Sequence, residues 1–172
     1  TLNRDATRAA TGAADFSAKL WEAQTGTEIH SFSHKHIVKS VDFSNDSTKL
    51  VTGCNDKQLR MFDLNNYSSE PILFSGHTSN IRRVLFLQEA QKIISISDDK
   101  TLRIWDSNSS LNNREIHNLK FATAPSCVEM SRDNKIFILS HGNQVELYDA
   151  TNFSKLNSFT IPNTVTACCI HP

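Results

Sequence analysis

Four aromatic residues, each followed by an acidic one, stand at nearly equal intervals: Trp21-Glu22, Phe62-Asp63, Trp105-Asp106 and Tyr148-Asp149. The steps between the aromatics are 41, 43 and 43 residues. A period of this length, met three times in 172 residues, restricts the fold more than any other feature. Each repeat must be one supersecondary unit that cannot bury its own apolar faces and therefore stacks on its neighbours.

Within each period, short apolar alternation is broken by turn residues, a pattern of strands and not of helices. The third repeat reads as four runs, "IRRVLF", "KIISIS", "TLRIWD" and "REIHNLKF", separated by "LQEAQ", "DDK" and "SNSSLNN". The second gives "VKSVDF", "KLVTG", "QLRMFD" and "EPILF"; the last gives "SCVEMS", "KIFILS", "QVELYD" and "KLNSFTI". These are meandering antiparallel sheets, and "TVTACCIH" after them reads as the start of another inner strand. A chain that begins inside one repeat and stops inside another is expected to be cut at both ends of a longer array. The end repeats are then expected to expose apolar faces and favour self-association.

A 38% hydrophobic and 21% charged composition suits a packed core. Eighteen basic residues balance eighteen acidic ones, so no overall field draws the chain to nucleic acid or to an anionic membrane. No apolar run is long enough to span a bilayer, and the opening "TLNRDATRAA" lacks the apolar segment of a signal peptide. Cys54, Cys127, Cys168 and Cys169 show neither metal-ligand nor disulfide-framework spacing and read as reduced core residues, with Cys169 inward and Cys168 on the opposite face.

Polar residues recur at fixed offsets before the aromatic positions. Asp99, Ser95 and His77 precede Trp105 by six, ten and twenty-eight residues. On three neighbouring strands these side chains meet: the indole donates to the serine hydroxyl, the hydroxyl to one imidazole nitrogen, and the other nitrogen to the carboxylate. A Ser, a His and an Asp also spell a catalytic triad. Here the hydroxyl is occupied by the indole inside a sheet, so the structural tetrad is the better reading. The same offsets from Phe62 give Asp56, Thr52 and His34, and from Trp21 give Asp15 and Thr11. From Tyr148 they fall on Gly142, Ile138 and Phe121, which predicts an apolar-cored fourth unit.

The stretches "DATRAATGAADFSAKLWEAQTG", "HKHIVKSVDFSNDSTKLVTG", "DKQLRMFDLN", "SGHTSNI" and "SDDKTLRIWD" resemble the WD40 family. The likeness to one scaffold member is detailed over Asp5 to about Asp106 and looser beyond. It implies an all-β propeller, about four blades of a seven-bladed ring: a partial blade at 1–33, blades at 34–76 and 77–120, a degenerate blade at 121–163, and the start of another at 164–172. It also implies a non-catalytic scaffold, cytoplasmic and partly nuclear, whose partners are proteins. The survival-of-motor-neuron complex, spliceosomal ribonucleoprotein assembly and transforming-growth-factor-β receptor signalling are the links it carries. No cofactor, metal, membrane, small-molecule substrate or direct nucleic-acid partner is implied. A WD40 subunit of a translation initiation factor and a propeller enzyme are the alternatives.

His30, His34 and His36 crowd together in "HSFSHKH", but His34 belongs to a tetrad and His30 to an outer strand, which leaves no metal set. Lys35, His36 and Lys39 stand at a loop-to-strand junction, with Arg82 and Arg83 at the matching place in the next repeat; together they form a candidate basic stripe for partners. Arg60 and Arg103 share a face with the aromatic two residues on and are expected to pair at a blade boundary. The innermost strands offer Asp42, Arg83 and Glu129, which show no repeated catalytic design, and Asp98 is expected in solvent.

Overall fold

Alternation with a period of two sends Leu50 and Phe62 to one side of their sheet and Val51 and Met61 to the other. In the computed structural model of the chain, which describes residues 1–87, 91–108 and 114–170, both sides are buried. Leu50 and Phe62 pack with Ala10, Leu20 and Phe32 of the preceding sheet; Val51, Leu59 and Met61 pack with Ile81, Val84 and Trp105 of the following one. A third slab joins Ile94, Ile96, Leu102 and Ile104 to Val128, Phe137, Leu139 and Tyr148. The apolar core is thus shared between successive sheets, as the repeat period demands.

The first sheet holds β1 (Arg8–Gly12), β2 (Ser17–Glu22) and β3 (Glu28–Ser33). The second holds β4 (Val38–Phe43), β5 (Lys49–Cys54), β6 (Leu59–Asp63) and β7 (Ile72–Phe74). The third holds β8 (Ile81–Leu87), β9 (Lys92–Ser97), β10 (Thr101–Asp106) and β11 (Glu115–Lys120), and the fourth β12 (Pro125–Met130), β13 (Ile136–His141), β14 (Gln144–Asp149) and β15 (Lys155–Thr160). All pairings are antiparallel meanders. In the first sheet Leu2 bridges Ala9 on the free side of β1. Of the connectors read from sequence, residues 88–90 and 109–113 lie outside the described residues, as does His171.

Two glycines set how closely sheets approach. A Cβ on Gly53 would sit 2.7 Å from Ile81 Cγ2 and 2.8 Å from Val84 Cγ1, and one on Gly12 would sit 2.7 Å from Val38 Cγ1. The second strand of one blade therefore rests directly on the innermost strand of the next.

The turns share a device that the offsets did not disclose. Asp5, Asp15, Asp46 and Asp99 each accept from the backbone N–H two residues on and from the hydroxyl there. The residue between is left-handed: Ala6, Phe16, Ser47 and Lys100 have φ of 55, 69, 56 and 67°. The carboxylate–amide bond stabilises a conformation that L side chains otherwise avoid. The signal was the recurrent Asp-x-Ser/Thr.

The expected inner strand in "TVTACCIH" does not form over residues 164–170. This segment runs beside β12, where Ser126 Oγ donates to Val165 O at 2.7 Å and Val165 N–H donates to Gly142 O at 2.7 Å. Innermost strands of neighbouring blades touch through side chains and not through a ladder, so adjacency alone creates no strand pairing. The cysteine orientation is the reverse of the expectation: Cys127 Sγ lies 3.5 Å from Cys168 O, Cys168 is half-buried and Cys169 exposed. Burial pushes the Cys168 thiol up to about 12, with the Cys127 thiol beside it acting in the same direction.

Candidate functional site: the tetrads and the loop rim

His77 precedes β8, Ser95 lies on β9 and Trp105 on β10, so three adjacent strands bring the group together. Trp105 Nε1 donates to Ser95 Oγ at 2.9 Å, Ser95 Oγ lies 2.7 Å from His77 Nε2, and His77 Nδ1 lies 2.8 Å from Asp99 Oδ2. The same carboxylate accepts from Thr78 N–H at 2.9 Å and, on its other oxygen, from the Thr101 hydroxyl at 2.6 Å. Burial acts to raise the pKa of Asp99, but the bonds from Thr101, Thr78 and His77 outweigh it and hold the carboxyl at about 2. Burial lowers that of His77 despite the carboxylate, so the ring is neutral near pH 7. Ser95 is fully buried and bonded on both sides, which leaves its oxygen no approach for a substrate.

The second blade departs from the expected pattern. His34 Nε2 meets Thr52 Oγ1 at 2.8 Å, and Phe62 packs edge-on to His34 at 5.6 Å. Asp56 does not reach His34: Arg60 forks onto it at 3.1 and 2.6 Å, and His34 Nδ1 turns to Phe32 O at 3.0 Å. Two local differences explain this. Gln58 stands where Thr101 pins Asp99 in the third blade, and β7 offers no acid to Arg60, whereas β11 supplies Glu115 to Arg103. Both arginines pair inside their own blade and not at a boundary. In the first blade Trp21 Nε1 donates to Thr11 Oγ1 at 2.9 Å, while Asp15 caps its own turn through Ser17.

The fourth blade keeps its apolar slab but also buries a polar cluster that the tetrad offsets did not predict. Tyr148 donates to Glu146 at 2.5 Å, Lys155 Nζ lies 2.9 Å from the other carboxylate oxygen, and His141 Nε2 is 3.7 Å from the first. Burial acts to raise the Glu146 carboxyl, but Tyr148 and Lys155 outweigh it and keep it low; burial and the adjoining carboxylate push the Tyr148 phenol up. Alternation along "HGNQVELYD" puts Glu146 on the face of Tyr148, a signal that searching only the tetrad offsets passed over.

Strand register places every loop that joins two blades on one rim with the turns between second and third strands. Val38 pairs with Cys54, and Gly53 with Leu59; the other sheets follow suit. Lys35, His36 and Lys39 lie exposed on this rim. His36 Nδ1 accepts from Ile37 N–H at 2.9 Å, and its ring lies 5.4 Å from Phe16. Arg82 is paired with Asp98, which is therefore not simply solvated, and Arg83 with Glu129 of the next innermost strand. The stripe expected from sequence is thus neutralised at its arginines. Two cations that the reading missed stand in their place: Lys57 and Lys100, exposed turn tips with φ of 70 and 67°. Their signal was the repeated Asp-Lys before each "LR" run.

A family model described as nucleolar protein 10-like, N-terminal domain, matches residues 4–117, two-thirds of the chain. The chain belongs to this β-propeller family. It is also 42% identical over all 172 residues to serine-threonine kinase receptor-associated protein of Homo sapiens and of Bos taurus, covering 48% of each. To the protein of the same name in Dictyostelium discoideum it is 35% identical over 171 residues, covering 57% of it. The U5 small nuclear ribonucleoprotein 40 kDa protein of Dictyostelium discoideum is 34% identical over 68 residues, 40% of this chain and 19% of that protein. The chain spans about half the length of the receptor-associated relatives it matches. The likeness supports a WD40-repeat β-propeller.

Proposed function

We propose that this chain is part of a non-catalytic scaffold that holds other proteins together during assembly of spliceosomal ribonucleoproteins, in association with the survival-of-motor-neuron complex. The observation that carries the proposal is the 42% identity running the whole length of the chain to relatives named as receptor-associated. The ribonucleoprotein link is favoured by the relative named as a U5 small nuclear ribonucleoprotein component. In this reading the protein works in the cytoplasm and also in the nucleus. The tetrads hold blades in register and the basic rim meets partners; the buried, doubly bonded Ser95 speaks for a structural tetrad and against hydrolysis.

A role beside serine-threonine kinase receptors, those of transforming growth factor-β among them, is the second reading; the name of the same relatives supports the kinase-receptor part of it. Capture of the tagged intact protein from its own cell extract, with mass spectrometry of what it carries, separates the two. Recovery of the survival-of-motor-neuron complex is expected. Recovery of receptor kinases without it favours the second reading, and recovery of translation initiation factor subunits overturns both.

A further inference from the structure

Ser40, Arg83 and Cys127 hold one place on the innermost strands β4, β8 and β12, each just past a register shift: Ser40 pairs with Gly53, Arg83 with Ile96 and Cys127 with Ser140. The next residue along is a valine in all three, Val41, Val84 and Val128. Between the second and third blades these two places touch. Ser40 Oγ donates to Val84 O at 3.4 Å and accepts from Val84 N–H at 3.2 Å, and the Val84 side chain rests over Gly53.

The joint between the fourth blade and residues 164–170 repeats that contact with sulfur. Cys127 Sγ lies 3.5 Å from Cys168 O, so Cys168 stands against Cys127 as Val84 stands against Ser40. The Cys168 thiol is in hydrogen-bond contact with the Cys127 thiol and with the hydroxyl of Ser140, which occupies the place of Gly53. The segment is held in position upstream, where Ser126 Oγ donates to Val165 O and Val165 N–H donates to Gly142 O, both at 2.7 Å. Among the described residues, this is the one joint at which both places carry a thiol. Cys169 is exposed, and Cys54 is buried on the His36 carbonyl at 3.1 Å.

We propose that Cys127 and Cys168 are a modification site, a dithiol that hydrogen peroxide converts into a disulfide across the joint. Cys168 is the more exposed of the two, so its sulfur attacks the peroxide first, breaking the O–O bond to give a sulfenic acid and one water. The Cys127 sulfur then attacks the sulfenic sulfur; the S–S bond forms, and the displaced hydroxyl leaves with the Cys127 proton as a second water. The peroxide is reduced by two electrons and the two thiols are oxidised. Contact between the sulfurs makes the second step intramolecular. Burial, with Cys127 adding to it, pushes the Cys168 thiol up to about 12, which makes the first step slow at neutral pH. The product fastens residues 164–170 covalently to β12, where the joint between β4 and β8 relies on hydrogen bonds. This inference goes beyond the scaffold reading and does not depend on it.

The test treats the intact protein with dilute hydrogen peroxide at pH 8 and maps tryptic peptides by mass spectrometry without reduction. Cys127 falls on the peptide 121–132, whereas Cys168 and Cys169 share a peptide beginning at Leu156, so variants identify the partner. A cross-link lighter by two hydrogens is expected, retained in Cys169→Ser and lost in Cys127→Ser and in Cys168→Val. The last two replacements are the residues that Ser40 and Val84 already place at this contact, so the fold is kept. Amide exchange over residues 164–170 should slow at least about fivefold on oxidation and recover with dithiothreitol. No cross-link, a cross-link that survives Cys168→Val, oxidation confined to Cys169, or unchanged exchange overturns the proposal.

Discussion

Asp42 on β4 accepts a hydrogen bond at 2.9 Å from the backbone N–H of Phe86 on β8, joining the innermost strands of two blades through one carboxylate. Ser40, two residues earlier, accepts from Val84 N–H at 3.2 Å. Side chains thus do between blades what a ladder does within them. Burial pushes the Asp42 carboxyl up to about 6, against the N–H groups of Phe86 and Phe43.

That shift has a sign. With its folded value raised above the ordinary 3.8, Asp42 favours the fold fully below that pH and loses the contribution as pH rises through about 6. Two units correspond to roughly 3 kcal/mol. Asp42→Asn keeps the acceptor and removes the charge. Denaturant unfolding of the variant is expected to show a gain of up to about 3 kcal/mol at pH 7.5 that vanishes near pH 3; an equal effect at both pH values would contradict the assignment.

Asp99 acts in the opposite direction. Its folded value is depressed to about 2, so its stabilisation is complete above its ordinary value and disappears as pH falls through 2. Asp99→Asn should cost about 2 kcal/mol at pH 7 and almost nothing at pH 2. Asp56→Asn should behave differently, because it strands the buried Arg60 guanidinium and leaves His34 on Phe32 O. Comparing the two variants by urea unfolding across pH distinguishes the blades.

Removing the hub of the tetrad is expected to cost more than trimming its end. Ser95→Ala leaves the Trp105 indole N–H and His77 Nε2 buried without partners, about 2–4 kcal/mol. Trp105→Phe removes the indole N–H but leaves Ser95 its bond to His77, as Thr52 keeps its bond to His34 beside Phe62; its effect beyond lost packing should stay near 1 kcal/mol. A double-mutant cycle read by thermal unfolding should be strongly non-additive. Additive losses would mean that the four groups are not one network.

Gly53→Ala places a methyl within 2.8 Å of two apolar side chains of the next blade. A loss of about 1–3 kcal/mol is expected, relieved in part by Ile81→Leu, which removes the β-branch methyl that faces Gly53. Gly26 has open space around it but φ of 72°, so Gly26→Ala should cost only its local backbone strain, about 1 kcal/mol.

The 41- and 43-residue period, the strand runs and the meeting of His77, Ser95, Asp99 and Trp105 could be read from the amino acids because they depend on local alternation and fixed offsets within one blade. Nothing beyond the chain's own register is needed to bring such groups together. The choice of Asp56 between His34 and Arg60 could not be read that way. It turns on Thr101 against Gln58 and on an acid at Glu115 that β7 lacks, so it is a competition settled across strands. Likewise, offsets placed Arg82 and Arg83 on the rim, but only the packing of the blades brought Asp98 and Glu129 to neutralise them and left Lys57 and Lys100 exposed. Local pattern determines which strands form and which face each residue takes. Electrostatic partners are chosen in three dimensions, where residues 16 and 46 positions apart meet and pair.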